Sequence, residues 1–81
     1  MPVIFIYKGY RFFFFSNEGE PLEPLHIHVR KGACVAKFWI IPEICLAESY
    51  GLTSGELAEL SDIIENNKDL IERSWYEHFG R

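Results

Sequence analysis

An α+β fold is what this 81-residue chain predicts. Three observations point to it. Short runs of aromatic and β-branched residues, punctuated by Gly and Pro, fill residues 1–50. One stretch of helical periodicity, opened by a capping-box spacing, fills the remainder. Strands first and helix last, without alternation, is the order of an antiparallel sheet with its helix segregated to one face. We therefore expect a sheet of four to five strands, with a long C-terminal amphipathic helix packed on one face, in a single domain spanning residues 1–81.

The elements follow in order. Val3 to Tyr7 and Tyr10 to Ser16 are strand-like runs flanking Lys8-Gly9, a pair suited to a tight hairpin turn because Gly accepts positive φ. Residues 17–25 combine Gly, two prolines and three acids, the chemistry of a loop. His26 to Arg30 and Ala33 to Ile40 form a second hairpin about Lys31-Gly32, Pro42-Glu43 turns the chain again, and Ile44 to Ser49 is the fifth strand. Thr53 and Glu56 then have capping-box spacing, with Leu52 and Leu57 placed as a hydrophobic staple. Apolar residues recur at Leu57, Leu60, Ile63, Ile64, Leu70, Ile71, Trp75 and Phe79, which predicts one long helix, bent near Asn67 and stopped at Gly80.

Side chains alternate across a strand, so two-residue turns assign faces. About Lys31-Gly32, Arg30 faces Ala33, His28 faces Val35 and His26 faces Lys37. Ile27, Val29, Cys34, Ala36, Phe38 and Ile40 form the core side, and the helix belongs there. His26, His28, Arg30, Lys37 and Trp39 are then left on the open side. A two-residue turn at Pro42-Glu43 puts Glu48 opposite Lys37, unless a bulge at Ile40-Ile41 intervenes. In the first hairpin Val3, Phe5, Tyr7, Tyr10, Phe12 and Phe14 share one face, and Ile4, Ile6, Arg11, Phe13 and Phe15 the other. Both faces are apolar and one helix covers only one of them. Ile4, Ile6, Phe13 and Phe15 therefore read as a partner interface, for a second protein or a second copy, unless the loop at 17–25 covers them.

Composition narrows the function classes. The formal charge of −4 argues against indiscriminate nucleic-acid binding. The acid is concentrated, however: residues 1–50 balance five basic and five acidic side chains, while residues 51–81 carry seven acidic and three basic ones. Cys34 and Cys45 make neither a disulfide framework nor a zinc site and read as small apolar core residues. No signal peptide and no membrane-spanning run is evident, so a cytoplasmic location is the expectation.

The segment from His26 to Arg30 carries the chemistry. Neutral imidazole can take a proton from a ribose 2′-hydroxyl, and fixed cations stabilise charge building on phosphorus. His26 and His28 are thus the candidate acid–base pair, Arg30 and Lys37 the candidate phosphate ligands, and Trp39 a stacking platform for a base. The plainer alternative is a pair of solvated strand histidines. Metal binding ranks lower: His-x-His supplies two ligands, and Glu23, Glu48 and His78 stand at no telling spacing for a third. No metal or other cofactor is expected. His78 near the helix C-terminus is explained by the helix dipole, and the helix acids by a solvated face.

Several blocks together resemble a known family. They are Tyr7-Lys8-Gly9-Tyr10-Arg11-Phe12-Phe13-Phe14, Ser16-Asn17-Glu18-Gly19, His26-Ile27-His28-Val29-Arg30-Lys31-Gly32, Ala36-Lys37-Phe38-Trp39 and Trp75-Tyr76-Glu77-His78-Phe79. Nearly the whole chain is similar to the small bacterial family called domain of unknown function 4160. The resemblance implies a toxin–antitoxin-type pair, with a small antitoxin-like partner encoded nearby and RNA as the target, and its block over His26, His28, Arg30 and Lys31 adds Lys31 to the candidate RNA- or phosphate-binding residues. The segment Trp39-Ile40-Ile41-Pro42 is one residue longer than the family pattern, which leaves the register of the fifth strand open. The resulting expectation is a toxin-like protein that acts on RNA, by metal-independent cleavage or by binding. The alternative is a non-catalytic module that binds a partner through its aromatic first hairpin.

Overall fold

Lys8 and Gly9 both adopt positive φ, 49° and 81°, as a type I′ hairpin turn requires. They join β1 (Val3–Tyr7) to β2 (Tyr10–Phe13), and Tyr7 pairs with Tyr10 as expected. The computed structural model describes residues 3–15 and 23–80. Phe14 and Phe15 continue beyond β2 without strand structure, and Ser16 and residues 17–22 of the expected loop lie outside the described residues. β3 (His26–Lys31), β4 (Cys34–Trp39) and β5 (Cys45–Tyr50) complete one antiparallel sheet in the order β1-β2-β3-β4-β5. The C-terminal helical region, α1 (Ser54–Asn66) and α2 (Lys68–Phe79), packs against it.

The second hairpin corrects the expected register. Its turn residues are Gly32 and Ala33, because the first turn position is the one that needs positive φ, and Gly32 supplies it at 60°. Lys31 pairs with Cys34, Arg30 with Val35, His28 with Lys37 and His26 with Trp39. The slip is two residues, so every side chain keeps its face.

One-residue irregularities behave differently. Val3 pairs with Phe13 while Phe5 pairs with Phe12, which leaves Ile4 as the extra residue of a bulge. Val3 therefore moves to the Phe13 side, where it is exposed, and Ile4 packs against the core cluster. This reverses the faces expected for both residues. A second bulge separates Lys37–Glu48 from Phe38–Leu46 and leaves Ala47 unmatched. Glu48 thus does lie opposite Lys37. It does so through a longer connection over residues 40–44, containing a cis Ile41–Pro42 bond, and a bulge inside the strand pair rather than at Ile40-Ile41. β5 is an exposed edge strand, so Cys45 is exposed and Cys34 only half-buried, and neither is the core residue expected.

The helix start is the expected capping box. The Glu56 backbone N–H donates to Thr53 Oγ1 at 3.1 Å, and the Thr53 N–H donates to Glu56 Oε1 at 2.8 Å. The long helix is interrupted at Asn67, where φ is −116° and ψ is 17°. The Asn67 side-chain amide donates to Ile63 O at 2.8 Å, a local bond that competes with regular helix geometry. Helical bonding resumes with the Ile71 N–H on Asn67 O. Gly80 ends α2 in the left-handed conformation, φ 71°.

Leu60, Ile64, Ile71 and Trp75 project from the helices onto Phe12, Phe14, Ile27, Val29, Ala36 and Phe38 of the sheet side. Each large apolar side chain buried this way stabilises the fold by roughly 1.5–3 kcal/mol. At the rim, polar contacts fix α1 to the first turn. Tyr7 Oη donates to Glu59 Oε2 at 2.7 Å, Lys8 Nζ donates to the same oxygen at 3.0 Å, and Tyr10 Oη donates to Glu56 Oε2 at 3.2 Å.

These contacts set an acid sensitivity. The Tyr7 hydroxyl, then the Lys8 ammonium, hold the Glu59 carboxyl below its ordinary range. The Thr53 backbone and hydroxyl do the same for Glu56. Both carboxylates are more acidic folded than unfolded, so they favour the fold above the ordinary carboxylate range and cease to do so as pH falls through their lowered values. Thermal melts from pH 7 to pH 3 should show stability declining over that acid range, and Glu59→Gln should flatten the decline.

Candidate functional site

Strand pairing lines up the sheet face opposite the helices in rows. Arg11, Arg30, Val35 and Tyr50 form one row across β2, β3, β4 and β5. Phe13, His28, Lys37 and Glu48 form the next. His26 and Trp39 lie beyond them, at the start of β3 and the end of β4. A depression of about 360 Å³ runs over this face, walled by Phe13, Phe15, His28, Arg30, Lys37 and Tyr50 among others. A second, of about 490 Å³, adjoins it at Phe13 and Arg30 and reaches Val3, Arg11 and the turn glycines Gly9 and Gly32.

His28 occupies the position the sequence predicts. It is half-buried, with the Phe13 ring stacked at 5.6 Å and the Phe15 ring edge-on at 4.5 Å. Its neighbour differs from expectation. His26 is fully buried, not open, because the end of α2 closes over the start of β3. The His26 ring lies 5.3 Å from Trp75, 5.5 Å from Trp39 and 5.2 Å from His28. Its Nδ1 is 2.8 Å from Pro24 O, and since a carbonyl only accepts, Nδ1 carries the proton. His26 therefore packs behind His28 and helps to hold it.

The proposed cations also separate. Arg30 is exposed, and its Nε donates to Gly32 O at 3.3 Å, which leaves both terminal amino groups beyond that anchor. Lys31 borders the second depression with Arg30, but its ammonium turns away. Alternation sends Lys31 to the opposite side, where its ammonium sits 4.9 Å over the Tyr10 ring. Lys37 lies on the open face, but its ammonium is 3.5 Å from the Glu23 carboxylate and 4.5 Å over the Trp39 ring. Its charge is matched, and one side of the Trp39 ring is taken.

Arg11 is the site residue that sequence reasoning missed. Its face was readable from the first turn, which groups it with Phe13 and Phe15. Its place beside Arg30 was not, because the segment between Phe13 and His26 fixes no register in sequence terms; the structure pairs Arg11 with Arg30.

The expected partner surface is smaller than the sequence suggests. Phe13 is only 4% exposed, sealed by Phe15 and His28, and Ile4 turns to the core. Ile6 at 63% and Phe15 at 41% exposure remain, joined by Val3 at 46%. Among the described residues no group of three or more His, Cys, Asp or Glu side chains is placed to hold a metal ion. No helix there is long and apolar enough to cross a membrane.

With this geometry in place, sequence comparison supplies the kinship. One family model, described as a domain of unknown function (DUF4160), matches residues 9–76. The chain belongs to that DUF4160 family. The match runs from the first turn to the last turn of α2 and so takes in both rows of the open face. No curated protein and no solved structure matches the chain.

The two histidines should separate by stability. His26→Ala removes a buried ring and its bond to Pro24 O, and should cost roughly 2–4 kcal/mol in urea unfolding. His28→Ala, at a half-buried position on the open face, should cost about 1 kcal/mol or less.

Proposed function

We propose that this protein is the toxin-like member of a two-protein module and that it acts on RNA through the open face of its sheet. One observation carries most weight. Phe13, Phe15, His28 and Arg30 line a single groove, with Arg11 in the adjoining depression. Aromatic rings beside cations suit unpaired bases and the phosphates between them. The helix acids do not oppose this. Glu56 and Glu59 are held against the first turn on the other side of the sheet.

In this reading His28 handles the proton. Its imidazole takes the 2′-hydroxyl proton as that oxygen attacks the adjacent phosphorus; the P–O5′ bond breaks, the leaving 5′-oxygen takes a proton from the imidazolium so formed, and a 2′,3′-cyclic phosphate results, while Arg30 binds a neighbouring phosphate of the same strand. His26 is a positioning residue: its ring backs His28, and Pro24 O fixes its tautomer. Phe15, at the mouth of the groove, offers a ring for a base. In this reading Lys37 shapes the groove wall, and Trp39 lies outside the groove under the Lys37 ammonium.

The partner-binding function is kept alongside it because Val3, Ile6 and Phe15 expose apolar surface on the same hairpin. An antitoxin-like protein seated there would cover the edge strand β1 and the mouth of the groove together.

Expression of the full chain, with and without its encoded neighbour, tests both statements. Alone, wild type should arrest growth and generate new RNA ends, and His28→Ala should lower cleavage by about 10²-fold or more while remaining folded. Ile6→Asp should abolish complex formation without affecting cleavage. A harmless wild type that leaves cellular RNA intact would sink the ribonuclease reading.

A further inference from the structure

Arg11 and Arg30 are direct cross-strand partners on the open face, and both are exposed. Like charges facing each other across a strand pair are unfavourable. Neither guanidinium has a carboxylate partner among the described residues, although the chain carries more acids than bases. The pair stands over a depression of about 490 Å³ that the turn glycines Gly9 and Gly32 help to shape.

We propose that Arg11 and Arg30 form a two-guanidinium clamp for a phosphate monoester, the group that ends a phosphorylated RNA strand. Cross-strand pairing puts both residues at one depression, where a single phosphate can be shared between two forks. Guanidinium presents its donors in a plane that matches phosphate oxygens, and two such groups reach oxygens on opposite sides of one phosphorus. Charge favours the monoester over the internal diester. A terminal phosphate carries about −1.5 to −2 near neutral pH, which two cations balance, whereas an internal link carries a single charge. The Arg30 Nε bond to Gly32 O already holds one fork in place. Arg30 and His28 lie two positions apart on β3, about 6.6 Å along the strand. A terminal phosphate in the clamp therefore sets the first nucleotides over Phe13, His28 and Phe15. The choice of RNA as the carrier of that phosphate rests on the function proposed above; the anion site itself does not.

Three probes decide the matter with the full chain: inorganic phosphate, a short oligoribonucleotide with a 5′-phosphate, and the same oligomer without it. Inorganic phosphate should raise the melting temperature of wild type above a sodium chloride control of equal ionic strength, and should not do so for Arg11→Gln. The phosphorylated oligomer should bind about tenfold more tightly than its hydroxyl twin, and Arg11→Gln or Arg30→Gln should erase that preference. Both variants should fold, and without phosphate Arg11→Gln should melt no lower than wild type, because a repulsion has been relieved. Equal affinity for the two oligomers, or a preference that survives Arg11→Gln, overturns the clamp. If neither oligomer binds while inorganic phosphate still stabilises wild type through Arg11, the clamp stands and the RNA reading falls.

Discussion

β3 must satisfy two environments at once, and the rest of the structure depends on how it does so. It is the central strand, with β2 and β4 bonded to its two edges. Ile27 and Val29 point into the core, where α1 and α2 cover them, while His28 and Arg30 point to the open side. Strict alternation is the only arrangement that buries the aliphatic pair without burying the guanidinium, whose unpaired burial is prohibitive. The core thus enforces the orientation of the site. A one-residue slip of β3 would put Arg30 among Leu60, Ile64 and Ile71, and the cost of that error pins the register.

Charge is divided between the two sides of the sheet in the same way. Lys8 and the hydroxyls of Tyr7 and Tyr10 hold Glu59 and Glu56 at the rim of the helix side, and Lys31 lies over Tyr10 there. On the other side Glu23 neutralises Lys37. Glu48 also lines the groove beside Lys37, and the local positive charge is confined to Arg11 and Arg30 at the other end, although the chain as a whole is at −4. Net charge describes long-range repulsion, which salt screens within about 10 Å at ordinary ionic strength. A contact between a phosphate and two guanidiniums operates well inside that distance, so an acidic total and a basic binding face are compatible.

Which parts of this were legible in the sequence follows from parity. The hairpin about Gly32 is displaced by two residues from its expected register, yet His28, Arg30 and Lys37 keep their face, because an even slip preserves alternation. The bulge at Ile4 is an odd shift, and there the expected faces of Val3 and Ile4 are exchanged. Bulges leave little trace in a run such as Val3 to Tyr7, where every residue is apolar or aromatic. The capping box at Thr53 was readable because it is chemistry between neighbours in sequence. The burial of His26 was not, since it depends on where the end of α2 lands on the sheet, and periodicity fixes which helix face is apolar but not where the helix lies. Lys31 entered with the family's block, and alternation turns its ammonium over Tyr10 although the residue still borders the depression that Arg11 and Arg30 line.

His26 joins the two halves of the molecule. Its ring touches Trp75 from α2 and His28 from the open face, and Trp75 in turn packs on Phe14 at 5.2 Å and Phe79 at 4.3 Å. The position of His28 is therefore inherited from the aromatic packing at the end of α2 and not only from its own strand. Side chains held on two sides lose rotamer freedom before any ligand arrives, which lowers the ordering cost of binding or reaction. The same connection explains why a histidine is retained at a position where an aliphatic residue would pack with less risk. An imidazole can bond Pro24 O with one nitrogen while its ring face remains apolar enough for Trp75 and Trp39. A leucine there would fill the space and leave the Pro24 carbonyl without that donor, and phenylalanine would do the same. What looks in sequence like a pair of equivalent histidines is a division of places, in which one ring is buried against Trp75 and the other is half-buried at the groove.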